Sequence, residues 1–263
     1  MDIGIIVSRP SPVFVAAASL LEARGLTADL IMAGRMRALP EPHPLHDLYI
    51  IKSGRSSAVT LAGLLHARGA RCWPPYPLVA EHRNKILVAD RLKAAGMPVP
   101  ESFTTTDIDA VAELLPPGPV LLKPFSGSRG EGIIKITTPA DLEAVPPYGD
   151  EPWLVQRYIP PDHGGSYLAV YRIGEELFGL RRRWPAPQQA DTLFELPAEL
   201  VRVAEACGRI FDIDLYGVDI VMSGGAPFVV DMSLHAGFVG VPDAARRVAD
   251  YMERVRTQLK ARD

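Results

Sequence analysis

The stretch Trp73-Pro74-Pro75-Tyr76-Pro77 divides the chain between two styles of secondary structure. Proline fixes φ and has no amide donor, so neither a helix interior nor a central strand passes through such a segment. Before it, short apolar runs alternate with helical periodicity. Asp2-Ile-Gly-Ile-Ile-Val-Ser8 reads as a buried strand, Ser11 to Gly25 as a helix stopped by glycine, and Leu30 to Ala33 as a second strand. Asp47-Leu-Tyr-Ile-Ile-Lys52 follows as a third strand, then a helix from Ser57 to Arg68 that ends at Gly69 and leads to Ala70-Arg-Cys-Trp73. Strands separated by helices pair in parallel, so residues 1–78 are expected to form a small α/β domain.

After the prolines, Val79 to Gly96 reads as one helix, with Ile86, Leu87, Ala89 and Leu92 as its apolar positions. The pattern then turns to hairpins. Val120-Leu-Leu-Lys-Pro124 and Gly132-Ile-Ile-Lys-Ile136 flank the polar loop 125–131. Trp153 to Gln156, Ser166 to Arg172 and Glu176 to Arg182 are further strands, the last two turned by Gly174. A helix over Ala198 to Phe211 precedes the hairpin Tyr216 to Met222 and Phe228 to Met232, and a last helix covers Asp243 to Lys260. The expected fold is α+β: the small parallel-sheet domain, then two lobes with antiparallel sheets, residues 79–155 and 156–263, enclosing a cleft.

Composition narrows the partners. With 28 Lys+Arg against 31 Asp+Glu the formal charge is −3, so no global positive field draws the chain to nucleic acid or to an anionic membrane. The apolar stretch Val13 to Leu21 is far short of the ~20 residues of a membrane span, and Asp2 and Arg9 do not fit a signal peptide; the expected location is cytoplasmic. Cys72 and Cys207, without metal-ligand spacing, read as buried thiols.

Three groups of residues can carry chemistry. The loop Ser126-Gly-Ser-Arg-Gly-Glu-Gly132 lets unhindered backbone approach a phosphate, with Ser126, Gly127, Ser128, Gly130 and Gly132 as contacts. Its spacing fits neither the P-loop nor the dinucleotide pattern, and a ligand-free hairpin tip is the alternative. Lys123, on an apolar strand where a charge needs a partner, and Lys85, at a helix start, bring two ammonium groups to bear on a polyphosphate. In the late hairpin, a turn centred near Gly225 pairs residues whose numbers sum to 450, which sets Asp219 opposite Asp231. Opposed like charges, with Cβ atoms ~4.5–5.5 Å apart, are destabilising unless a cation sits between them. Ser233, on the same face, supplies a third oxygen for magnesium. The alternative is a register slip that separates the carboxylates. In the run Arg181-Arg182-Arg183, alternation puts Arg181 and Arg183 on one side of a strand and Arg182 on the other; Arg181 and Arg183 are the catalytic candidates, against a merely solvated edge. Lys52 and Arg55 are candidates for an acidic substrate. His235 lies close after the aspartates, where a structural role is favoured.

In order, these segments resemble the ATP-grasp superfamily, in particular the branch with the ribosomal-protein glutamate ligases and the inositol phosphate kinases. Asn84-Lys85 with Leu92-Lys-Ala-Ala-Gly-Met-Pro-Val-Pro100 is similar to that family's (D/N)K...L...aGiPvP segment, and Leu121-Leu-Lys-Pro124 with Gly127 to Gly132 to its lysine strand and glycine-rich loop. Val155-Gln-Arg-Tyr-Ile159 resembles its hinge. Tyr216-Gly-Val-Asp-Ile220 and Val229-Val-Asp-Met-Ser233 resemble its magnesium pair. The resemblance implies ATP and Mg2+ as cofactors, with Gln156, Arg157, Tyr158 and Ile159 at adenine. It also implies a ligase that joins small-molecule carboxylate and amine substrates through an acyl phosphate. A kinase acting on a polyol, suggested by Ala236-Gly-Phe-Val-Gly-Val-Pro242, is the alternative, and a nucleotide-binding pseudoenzyme is the second; a homodimer stays open. The sequence departs from the family in Ser233, where asparagine is usual, in Arg157, where acidic residues are common, and in Ala169, where a polar residue is.

Overall fold

The structure, a computed structural model, describes residues 2–35, 46–127, 130–147, 149–162, 166–183 and 192–260. Four strands, β1 (Ile3–Val7), β2 (Ala28–Met32), β3 (Leu48–Ile51) and β4 (Cys72–Trp73), form the first sheet in the order β2-β1-β3-β4. All its pairings are parallel. Helix α1 (Pro12–Ala23) follows β1 and α2 (Ser56–Ala67) follows β3. Every residue of β1 is buried, as a parallel strand covered on both faces requires. Pro12 sits in the first turn of α1, where its missing amide costs nothing.

The single helix expected over Val79 to Gly96 is two helices, α3 (Tyr76–His82) and α4 (Lys85–Ala94). Asn84 divides them. Its backbone is extended and its side chain accepts from the Ile86 amide at 2.9 Å, so the asparagine caps a new helix instead of continuing the old one.

The middle sheet has the order β5-β8-β6-β7, from β5 (Ser102–Thr105), β6 (Val120–Pro124), β7 (Ile134–Ile136) and β8 (Trp153–Arg157), all antiparallel. Since β8 runs to Arg157, this sheet closes two residues beyond the expected boundary at 155. The third sheet, order β11-β10-β9-β12-β13, is also antiparallel. It holds β9 (Ser166–Ile173), β10 (Glu176–Arg183), β11 (Thr192–Phe194), β12 (Leu215–Ser223) and β13 (Ala226–Ser233). Helices α5 (Ala198–Phe211) and α6 (Ala244–Lys260) complete the chain's elements. Among the described residues no helix is long and apolar enough to cross a membrane.

The third sheet is packed on both faces. On one, α5 buries Leu200, Ala204, Cys207 and Phe211, spaced at helical period, against Tyr216, Val218, Ile220 and Val229. The approach is close at Gly208, where a Cβ would stand 2.7 Å from the Tyr216 hydroxyl oxygen. On the other face, Tyr171, Leu180 and Leu215 share one core with Ile3, Ile5, Phe14 and Leu48 of the first sheet and with Val248 and Met252 of α6. Ion pairs border this junction: the exposed Arg24 with Asp250 at 2.7 Å and Glu253 at 2.9 Å, and the partly buried Arg256 with Asp2 and Asp47. The middle sheet has a separate core around Val111, Val120, Leu122, Ile136 and Val155.

Both cysteines are buried, as expected. Burial pushes the Cys72 thiol up to about 11 and Cys207 up to about 12, so neither presents a thiolate at neutral pH. Native protein incubated with iodoacetamide at pH 7.5 is therefore expected to stay unmodified by mass spectrometry, and to take two alkyl groups once unfolded in guanidinium.

Candidate active site

The hairpin β12–β13 turns on Gly224 and Gly225, which have φ of 59° and 77°, the left-handed values a two-residue hairpin loop demands. This turn pairs Ser223 with Ala226, Val221 with Phe228 and Ile220 with Val229, so the numbers sum to 449 and not to 450. One extra residue, Val230, then shifts the register, and Asp219 stands opposite Asp231, Val218 opposite Met232 and Gly217 opposite Ser233. The carboxylates face each other because of a β-bulge, the kind of insertion that re-aims side chains beside functional sites. Without it Asp219 would meet Val230, and Asp231 would turn to the other face.

As the edge strand of its sheet, β13 also has backbone groups that bind elsewhere. The Val230 carbonyl accepts from Lys123 Nζ at 2.9 Å, and the neighbouring Val229 amide donates to the Pro98 carbonyl at 2.7 Å. Lys123, 4% exposed, also donates to Gln156 Oε1 at 2.6 Å. Lys85, the first residue of α4, donates to Asp231 Oδ2 at 2.5 Å, and its own amide donates to the Phe125 carbonyl at 2.8 Å. Two lysines, two carboxylates and the entrance of the glycine-rich loop thus meet where the middle and third sheets adjoin. The apolar side chains of Val88, Leu92, Leu154, Val229 and Met232 line the same pocket as Lys85, Lys123, Gln156 and Asp231.

The charges shift one another. Burial, then the Asp231 charge, pushes Asp219 up to about 7. Burial alone would also raise Asp231, but Lys85 and Lys123 outweigh it and hold that carboxyl below its ordinary range. Burial and the Lys85 charge pull Lys123 down to about 8. Among the described residues no cluster of three or more His, Cys, Asp or Glu side chains could hold a metal. A magnesium ion that keeps waters and bridges phosphates takes only one or two carboxylates, and the opposed pair with its raised member fits that demand. Ser233 shares their face, but its hydroxyl accepts from the His235 amide at 3.1 Å.

The loop from Ser126 to Gly132 keeps the character expected of it at Gly127, Gly130 and Gly132, whose φ values of 155°, 73° and 76° are glycine conformations. Ser128 lies outside the described residues. Of the four hinge residues, Gln156 faces the pocket. The Arg157 guanidinium instead donates to the Gly118 carbonyl at 2.6 Å, inside the middle lobe. The Arg157 amide is bonded to the Glu101 carbonyl at 2.8 Å and the Tyr158 amide to the Pro119 carbonyl at 3.0 Å. Tyr158 packs under Lys135, and Ile159 is half-buried at the start of the link to the third sheet.

The arginine expectation needs correction. Leu180, Ala169, Asp219 and Asp231 stand in one row across four strands, and Arg182 is two residues from Leu180 on the same face. Arg181 and Arg183 are exposed and on the opposite face. Arg182 Nη1 donates to the Tyr171 hydroxyl at 2.5 Å, and its charge acts on Asp219. Pleat parity separates the three arginines, but only the packing of the sheet decides which side meets the aspartates. Ala169, directly beside Asp219 and fully buried, has no polar group to offer.

The candidates Lys52 and Arg55 sit at and just past the C-terminal end of β3. Lys52 donates to the His235 carbonyl, while the His235 ring donates from Nδ1 to the Ile51 carbonyl at 3.2 Å. His235 thus ties the segment after β13 to the end of β3. Arg55 reaches to within 4.0 Å of Glu131 in the glycine-rich loop.

No protein-family model matches the chain. In sequence it is 22% identical over 223 residues to a probable alpha-L-glutamate ligase of Pseudomonas paraeruginosa, across 75% of this chain and 74% of the relative. In structure it is similar to a RimK-domain ATP-grasp protein of Sphaerobacter thermophilus, with TM-score 0.79 at 21% identity across 95% and 99% of the two chains. It is also similar to a D-cycloserine synthetase, with TM-score 0.78 at 16% identity across 98% and 100%.

Proposed function

We propose, from the premise that this chain is an ATP-grasp protein, that it is an ATP-dependent ligase joining a carboxylate to an amine through an acyl phosphate. The observation that carries this reading is the joint placement of Lys85, Lys123 and the opposed pair Asp219 and Asp231 beside the glycine-rich loop, in a pocket with apolar walls. Chemistry of this kind asks no nucleophile of the protein. It asks for positioned positive charge around a transferring phosphoryl group and for a dry adenine slot.

The substrate carboxylate attacks the γ-phosphorus and ADP leaves. The amine then attacks the acyl carbon, phosphate leaves, and the amine loses a proton. Lys85 and Lys123 stabilise the charge on the phosphates, the glycine-rich backbone holds them, and Val88, Leu154, Val229 and Met232 take the adenine. Magnesium, held by Asp219 and Asp231, would supply further charge neutralisation at the phosphates. Arg182, on the aspartate face, is the arginine we assign to the developing charge.

The test is product analysis with MgATP and sets of carboxylates, amines and polyols. ADP and phosphate released only when a carboxylate and an amine are both present supports the ligase. ADP released with a polyol alone would assign a kinase instead, and nucleotide binding without turnover on any set would leave a pseudoenzyme.

A further inference from the structure

Strand β8 ends at Arg157 and β9 begins at Ser166, and the chain between them links the middle sheet to the third. The link opens with the hinge residues. The Arg157 and Tyr158 amides are taken by the Glu101 and Pro119 carbonyls, while among the described residues the Ile159 amide has no bonded partner. Ile159 is half-buried and stands three residues beyond Gln156, which lines the pocket. Pro160 and Pro161 follow with φ fixed by their rings, and they deliver the chain directly to Asp162.

Asp162 clamps the tip of the hairpin that carries the two aspartates. Its Oδ1 accepts the Gly224 amide at 2.7 Å and its Oδ2 the Gly225 amide at 3.1 Å. Its own amide donates to the Met222 carbonyl at 2.9 Å, past the last pair of β9 with β12, Leu168 with Ile220. Bonds from a carboxylate to amides are charge-assisted and directional. Yet Asp162 and both turn glycines are exposed, where water satisfies turn amides at little cost. The turn does not need the carboxylate; what the clamp adds is a fixed position for the link. Nearer the aspartates the same hairpin is tied to the middle lobe, by the Val229 amide on the Pro98 carbonyl and by Lys123 on the Val230 carbonyl. Hinge, link and hairpin thus close into one circuit around the pocket.

We propose that Asp162 is a positioning residue for the nucleobase. By holding the link against the hairpin tip, it keeps the unpaired Ile159 amide at the edge of the slot whose walls are Leu154 and Gln156 on one side and Val229 and Met232 on the other. Asp162 does not touch the nucleotide. It acts on the base and not on the phosphates, which Lys85, Lys123 and the glycine-rich backbone hold. The proposal rests on the nucleotide site of the ligase reading, but not on what the acceptor is.

The experiment is calorimetric titration of the full chain with MgATP and with magnesium tripolyphosphate, which carries the phosphates without a base. Asp162→Ala removes both acceptors; Asp162→Asn keeps the shape and one of them. The alanine variant is expected to bind MgATP about tenfold more weakly, because the hinge must then be ordered on binding, with its tripolyphosphate affinity unchanged. The asparagine variant should fall between it and wild type. Both should melt within about 2 °C of wild type, as exposed substitutions do. MgATP affinity unchanged in the alanine variant overturns the proposal, and so does equal weakening of the two ligands. Weaker MgATP binding only in step with a large drop in melting temperature makes Asp162 a structural residue and overturns it too. Wild type that binds neither ligand, or binds MgATP no better than tripolyphosphate, refutes the nucleotide site itself. Wild type that prefers MgATP, with variants identical to it, refutes the role of Asp162 alone.

Discussion

Asp231→Asn is expected to lower ATP turnover by about a thousandfold, the upper part of the range for removing one preorganised charge from a site of this kind, while leaving the protein folded. The asparagine matches the aspartate in size, and its carbonyl oxygen can still accept the Met232 amide that Asp231 Oδ1 takes at 3.0 Å. What is lost is the charge that pairs with Lys85 and, in the proposed reaction, one of the two magnesium ligands. Asp219→Asn separates these roles. It removes a ligand and also relieves two carboxylates that face each other across the bulged hairpin, a repulsion typically of about 0.2–1 kcal/mol. The expected result is loss of turnover with a melting temperature equal to or above that of wild type. Turnover is read by ADP release and folding by calorimetric melting. Wild-type turnover in either variant would remove the aspartates from the site.

The second expected result is a loss of nucleotide affinity far larger than the accompanying loss of stability. Lys123 is almost wholly buried, holding one side-chain oxygen and one carbonyl. Replacing a whole buried ion pair by apolar groups is often neutral or stabilising, but removing one charged partner leaves the other uncompensated, here Asp231, and strips the donor from Gln156 Oε1 and the Val230 carbonyl. Lys123→Met is therefore expected to melt below the wild-type temperature but stay folded, while its affinity for MgATP falls about a hundredfold or more. That pairing distinguishes a phosphate lysine from a structural one. If the variant melts well below wild type and keeps its nucleotide affinity, Lys123 serves the fold.

Much of this architecture was legible in residue order because local signals agreed with the final packing. Apolar strands separated by helices announced the parallel sheet, and the glycine pair at 224–225 announced the last hairpin. The pairing of Asp219 with Asp231 was anticipated by an arithmetic that the turn itself does not obey. The bulge at Val230 restored it, and no local signal marks a bulge within an apolar run of Phe, Val and Val. The break at Asn84 is visible in hindsight, since asparagine is a strong cap, but the apolar period across it masked the stop. Arg182 was out of reach for a different reason. Strand parity sorts neighbours into two faces, yet which face meets the aspartates depends on strands distant in sequence. Strands β5 and β11 were missed because short edge strands depend on the partners they pair with.

The shared core of the first and third sheets sets how strain travels through the molecule. Phe14, Leu48, Tyr171, Leu180 and Met252 belong to one packed interior, so those two parts respond to load as a single stiff body. The middle sheet holds its own core and meets that body through α4 and through polar contacts at Lys85, Lys123 and Val229. The pocket that faces both parts thus has one wall fixed to a frame and one wall held to it by the packing of α4 and by charges, the same charges a polyphosphate would engage.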